Sequence, residues 1–166
     1  MTVARALPPS VIDATLKATG AISVGELPGE LPTVEGTVER RGISWRVQVV
    51  SYPGDVLVAR SFVLAAVPQD RREAAAIFAN RVNWALLAGD VEVDAHDGTV
   101  RVRTTLCAQG ASVSAPLAEG LLGPNIGTAE LVFPAVHEIA AGKDAVATAD
   151  ALLDAIEASG IDTRLA

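Results

Sequence analysis

Between Ile43 and Val49 the chain alternates apolar Ile43, Trp45, Val47 and Val49 with polar Ser44, Arg46 and Gln48, the period of a strand with one buried face. Strands are expected over 33–40, 43–51 and 56–64. Tyr52-Pro53-Gly54-Asp55 places Pro and Gly where a type II turn needs them, and Arg40-Arg41-Gly42 is a second turn signal, so the three strands read as an antiparallel meander.

Around the meander the period changes to that of helices. Ser10 is a plausible N-cap for a first helix over 10–20, stopped by Gly20, and the Pro- and Gly-rich stretch 25–32 reads as a loop. Residues 67–88 read as a long helix, with Pro68, Asp70 and Glu73 suited to its first turn and Gly89 to its end. Its Ile77, Phe78, Val82, Trp84, Leu86 and Leu87 occupy much of the helical wheel, so cover is needed on more than one side. A hairpin follows. Asp97-Gly98 is a favoured two-residue turn, which sets Val91 opposite Thr104, Val93 opposite Val102 and Ala95 opposite Val100 on one face, with Glu92 opposite Arg103 and Asp94 opposite Arg101 on the other. A further helix starts at Ser114-Ala115-Pro116, is expected to break at Gly123-Pro124, resumes through 129–133 and kinks at Pro134. Asp144 opens a last helix with Val146, Ala149, Leu153 and Ile156 on one face. The pattern gives a tail over 1–9, one α+β domain over 10–142, and a C-terminal helix and tail over 143–166.

Composition narrows the function classes. Half of the 166 residues are hydrophobic but only 4% aromatic, which leaves little to stack bases on, and a net charge of −7 disfavours nucleic acid and anionic membranes. The charge is uneven: −2 over 1–38, +3 over 39–81 and −8 over 82–166. A single cysteine, Cys107, excludes an internal disulfide and fits a reducing cytoplasm. Neither a secretory leader nor a run of about 18 apolar residues is evident.

Candidate chemistry is sparse. Metal or acid–base catalysis needs convergent His, Cys, Asp or Glu side chains, and only His96, His137 and Cys107 are available as soft ligands. His96 falls at a hairpin tip between Asp94 and Asp97, and a solvated turn is the default there; Cys107 reads as a buried structural thiol. The glycines of 120–127 lack a following Lys-Ser or Lys-Thr and so are not a phosphate loop. Arg40, Arg41, Arg46, Arg60, Arg71, Arg72 and Arg81 form the only basic region, expected to serve as solvated faces or internal salt links, with a docking patch for an acidic peptide or for the acidic half of a second subunit as the alternative. The carboxamides Asn80 and Asn83, three apart on one helix face, are poor acids and bases; they are expected to satisfy backbone of an adjacent loop or strand, or to join Phe78 and Trp84 in a partner contact.

A helix, a three-strand meander, a long helix closing on Asn80-x-x-Asn83, a charged hairpin over Val91–Leu106, and Leu131-Val132-Phe133-Pro134-Ala135-Val136 resemble the YbjN-type bacterial proteins. The resemblance covers residues 10–142. It implies a type III secretion chaperone-like α+β fold, an antiparallel sheet with helices packed on it, commonly dimeric, in a family of regulators. The expected protein is a non-enzymatic, cytoplasmic protein-binding module without cofactor or metal, with a protein or peptide partner and a homodimeric state. A small-molecule sensor domain is the alternative, and an enzyme the remotest reading.

Overall fold

The computed structural model describes residues 9–64, 66–109 and 113–158. Its elements run α1 (Pro9–Ala18), β1 (Ala21–Leu27), β2 (Thr33–Arg40), β3 (Ile43–Tyr52), β4 (Val56–Leu64), a single 3-10 turn (Gln69–Arg71), α2 (Arg72–Asn83), β5 (Asp90–Val93), β6 (Val100–Cys107), α3 (Ala115–Ala140) and α4 (Ala145–Ala158). The strands form one antiparallel sheet in the order β1-β2-β3-β4-β6-β5, so the fold class is α+β. Contacts divide the chain into two compact units, residues 1–61 with 103–126, and residues 62–102 with 127–166.

In the first unit the meander stands where the alternation placed it. Trp45, Val47 and Val49 are buried, and β2 pairs with β3 from Thr33 opposite Val50 to Arg40 opposite Ile43. That closes a two-residue turn at Arg41 and Gly42, both at positive φ (50° and 79°), the mirror-image turn whose twist suits a hairpin. Gly54, at φ 85°, takes the left-handed position of the next turn. The stretch read as a loop is partly a strand: β1 runs through Gly25 to Leu27 and pairs with β2, with a bulge between Ile22 and Gly25 and Ser23 at φ 54°. Only Ala21 of this edge strand is buried, so it carries no hydrophobic alternation to read. Ile12 and Leu16 of α1 are buried where the helix packs on β1 and β2.

The expected break at Gly123-Pro124 is absent, and α3 is helical from Ala115 to Ala140. Proline forfeits one ladder bond at about 3 kcal/mol, but burial of a Leu or Ile contributes about 1.5–3 kcal/mol each. Leu121, Leu122 and Ile126, all at most 3% exposed, outweigh it.

In the second unit α2 packs on β5 and on α4. It ends at Asn83, five residues before the expected end, where Ala85 N–H turns back to the Val82 carbonyl in a tighter turn. The hairpin register differs from expectation by two residues. The Asp94 N–H donates to the Thr99 carbonyl and Gly98 N–H to the Asp94 carbonyl, both at 2.8 Å, closing a four-residue loop over 95–98 instead of a two-residue turn. Arg101 therefore pairs with Glu92, Nε to Oε2 at 2.7 Å, and Asp94 does not oppose it. A two-residue offset keeps every side chain on its predicted face, so Val91, Val100 and Val102 remain buried. α4 begins as read, with Asp144 Oδ1 accepting from Ala147 N–H at 2.8 Å.

Candidate partner-binding groove

α2 has two faces. Ala75, Phe78, Ala79 and Val82 are buried, whereas Glu73, Ile77, Asn80 and Trp84, at helical intervals of four, three and four, form an outward stripe. α4 offers a matching stripe through Val146, Asp150 and Leu153. Between them lies an open groove of about 710 Å³, lined by Glu73, Ile77, Asn80, Arg81, Trp84, Val146 and Leu153 together with Ala76 and Ala85. Its apolar walls are unusually bare for large side chains: Trp84 is 94% exposed, Ile77 46% and Val146 43%. Arg81 bridges the two helices through Asp150, with Nε and Nη2 each 2.5 Å from Oδ1. Both partners are about half exposed, so this link orients the helices and contributes at most about 1 kcal/mol.

The four residues singled out in the sequence separate. Trp84 and Asn80 line the groove. Phe78 does not: it is fully buried, a core residue on the opposite face of α2, and so is withdrawn from any surface contact. Asn83 is occupied with β5. Its Nδ2 donates to the Val91 carbonyl at 2.9 Å and its Oδ1 accepts from the Val91 N–H at 2.8 Å, so one carboxamide takes the place of a neighbouring strand's peptide group. Because Glu92 and Asp94 turn toward β6, the polar groups of Val91 turn outward on the edge of the sheet, and Asn83 satisfies them. The α4 wall of the groove is not among the site residues singled out in the sequence, although Val146 and Leu153 stand on the face assigned to that helix.

A second constellation fixes the unit. Arg72 donates from Nη1 to the carbonyls of Ala95 (3.2 Å) and His96 (2.7 Å) and from Nε to that of Val67 (3.2 Å). Val67 N–H donates to the Gly98 carbonyl at 2.8 Å. The tip itself is knitted by Asp94 and Asp97, whose carboxylates accept from His96 N–H (2.8 Å) and Thr99 N–H (2.7 Å). The Thr99 backbone bond holds the Asp97 carboxyl below its ordinary range.

The arginines serve as internal links. Arg71 caps the end of α3 through the Ile139 carbonyl at 3.0 Å, Arg40 binds the Thr19 carbonyl at 3.0 Å, and Arg60 binds the Tyr52 hydroxyl at 2.7 Å. His137 stacks on Phe133 with ring centres 4.4 Å apart. Cys107, expected to be buried, is exposed at the end of β6. Among the described residues no three His, Cys, Asp or Glu side chains gather into a cation site, and no helix is long and apolar enough to cross a membrane.

Charge separates the two units. The first holds seven basic and seven acidic residues, net zero; the second holds six basic and thirteen acidic residues, which is the whole −7.

A family model for YbjN, described as a "putative bacterial sensory transduction regulator", matches residues 32–138. Among solved structures, the Yersinia pestis type III secretion chaperone SycH, in complex with a stable fragment of YscM2, is similar at a TM-score of 0.43 and 18% identity, over 73% of this chain and 95% of that one. A search of curated proteins finds no match.

Proposed function

Because the chain belongs to the YbjN family of bacterial regulators, we propose that it is a non-enzymatic module that regulates by binding a protein partner in the groove between α2 and α4. The observation that carries this reading is the 94% exposure of Trp84 beside an open apolar groove. An indole offers about 150–250 Å² of surface, and covering it at about 25 cal/mol per Å² contributes roughly 4–6 kcal/mol to association before the entropic cost of docking. Aromatic anchors of this kind dominate protein interfaces. Openness favours a peptide surface over an enclosed small-ligand pocket, which would bury most of a ligand. The chemistry argues against catalysis as well, since His96, His137 and Cys107 lie on the hairpin tip, α3 and the end of β6.

The need of α2 for cover on two sides points to a homodimer or, as the competing cover, to the C-terminal helix, and α4 packs on α2 within the same chain. Two copies meeting through this unit would also oppose two charges of −7.

Trp84→Asp is the test. At so exposed a position it should change folding stability by no more than about 0.5 kcal/mol, while retention of the cellular partner by the immobilised full chain should fall at least about tenfold. Undiminished retention of the same partner would refute the reading.

A further inference from the structure

We infer that the occupant of the groove is an amphipathic α-helix of another protein, with an apolar face and a cationic polar flank; this rests on the reading of the groove as a protein-docking surface. Three observations lead there. The first is shape. The stripe from Glu73 to Trp84, the residue that caps α2, covers eleven steps along the helix, about 16 Å at the helical rise, which is room for roughly three turns of a third helix laid along α2 and α4. Its anchors Ile77 and Trp84 on one wall and Val146 and Leu153 on the other suit apolar side chains at intervals of three and four on the incoming segment.

The second observation concerns backbone. Both walls are helices whose peptide groups bond within their own ladders, so the groove offers no strand edge to an extended peptide. An extended occupant would find no backbone partners on either wall for the N–H and C=O groups it turns toward them, whereas a helix satisfies its own. The strand edge that does lie close, at Val91, is already held by Asn83.

The third is charge. The unit that forms the groove carries the entire −7 of the chain. At the groove, Glu73 and Asp150 stand against Arg81, the one cation among the described lining residues, and Arg81 is engaged with Asp150. Such a field draws in a cationic segment and repels an acidic one or a second copy of this chain.

The test uses the intact protein and three synthetic peptides of about 18 residues, long enough for five turns. All share one Leu face at helical spacing. The first has Lys at its polar positions, the second has Glu there, and the third is the Lys peptide with a central Pro that breaks the helix. Binding is followed by calorimetry and by the change in tryptophan emission that the Trp84→Ala protein lacks, at about 50 mM and about 0.5 M salt, where screening lengths differ severalfold. The Lys helix should bind at least about tenfold more tightly than either other peptide at low salt. Its advantage over the Glu peptide should shrink to under about threefold at high salt, and Trp84→Ala should weaken the Lys helix about tenfold or more.

Equal or tighter binding of the Glu peptide, or equal binding of the Pro-broken peptide, overturns the inference. So does Trp84-dependent self-association in sedimentation, which would make a second copy the occupant, and so does an absence of binding by all three. If the peptides fail while the intact protein still retains its cellular partner through Trp84, only the cationic helix falls. If that retention is also independent of Trp84, the proposed function falls with it.

Discussion

Gly98→Ala is expected to destabilise the protein by at least about 3 kcal/mol, far more than a hairpin-tip substitution ordinarily costs. Gly98 sits at φ 81°, where an L side chain is strained by about 1–2 kcal/mol. A Cβ there would also lie 2.4 Å from the Val67 carbonyl oxygen and 2.9 Å from the Val67 nitrogen, and both are backbone atoms. Relief requires breaking the 2.8 Å bond from Val67 N–H to the Gly98 carbonyl and shifting the tip off Arg72. Urea unfolding of the two proteins measures the difference. A loss below about 1 kcal/mol would mean that the tip and the chain ahead of α2 are not clamped together.

Asn125→Asp is expected to cost up to about 4 kcal/mol at neutral pH and much less in mild acid. In the first unit Trp45 Nε1 donates to Ser61 Oγ (3.1 Å), Ser61 Oγ donates to Asn125 Oδ1 (2.7 Å), and Asn125 Nδ2 donates to the Ala59 carbonyl (3.3 Å). Ser61 and Asn125 are fully buried and Trp45 is 3% exposed. An aspartate would turn an oxygen toward the Ala59 carbonyl and carry its charge without solvent, so its folded pKa rises above the unfolded value of about 3.9. For an acid shifted in that direction the penalty is absent below the unfolded pKa. It then grows by about 1.4 kcal/mol per pH unit until the folded pKa is reached. Unfolding at pH 5 and pH 7 should therefore differ by about 2–3 kcal/mol more in the variant than in the parent. An equal loss at both pH values would show that the charge is solvated or neutralised by a partner.

The strands and the last helix were legible because their signals are local. β2, β3 and β4 follow from alternation and turn chemistry, and α4 from Asp144 and a stripe at helical spacing. Where the reading missed, a tertiary contact had decided. β1 buries only Ala21 and pairs by its backbone, which leaves no side-chain pattern. α2 stops at Asn83, whose side chain is engaged with β5, and α3 runs through Pro124 because buried neighbours outweigh one lost bond. The hairpin tip widens to four residues, and its Gly98 carbonyl and the carbonyls of Ala95 and His96 are held by Val67 and Arg72. The site was half visible. Trp84 and Asn80 could be picked from the sequence, while Phe78 faces inward and the Val146 and Leu153 wall exists only because α4 folds against α2.

If a protein partner docks in the groove between α2 and α4, site-specific photo-crosslinking in the native cell captures it there. A photoreactive residue replaces Ile77, which is 46% exposed inside the groove, or Ile22, which is 48% exposed on the edge strand of the other unit. The matched exposure separates location from mere accessibility. Docking in the groove gives one defined adduct from position 77 that disappears in the Trp84→Asp background, with no such adduct from position 22. An adduct from position 22 with none from position 77, or one from position 77 that survives Trp84→Asp undiminished, would contradict it.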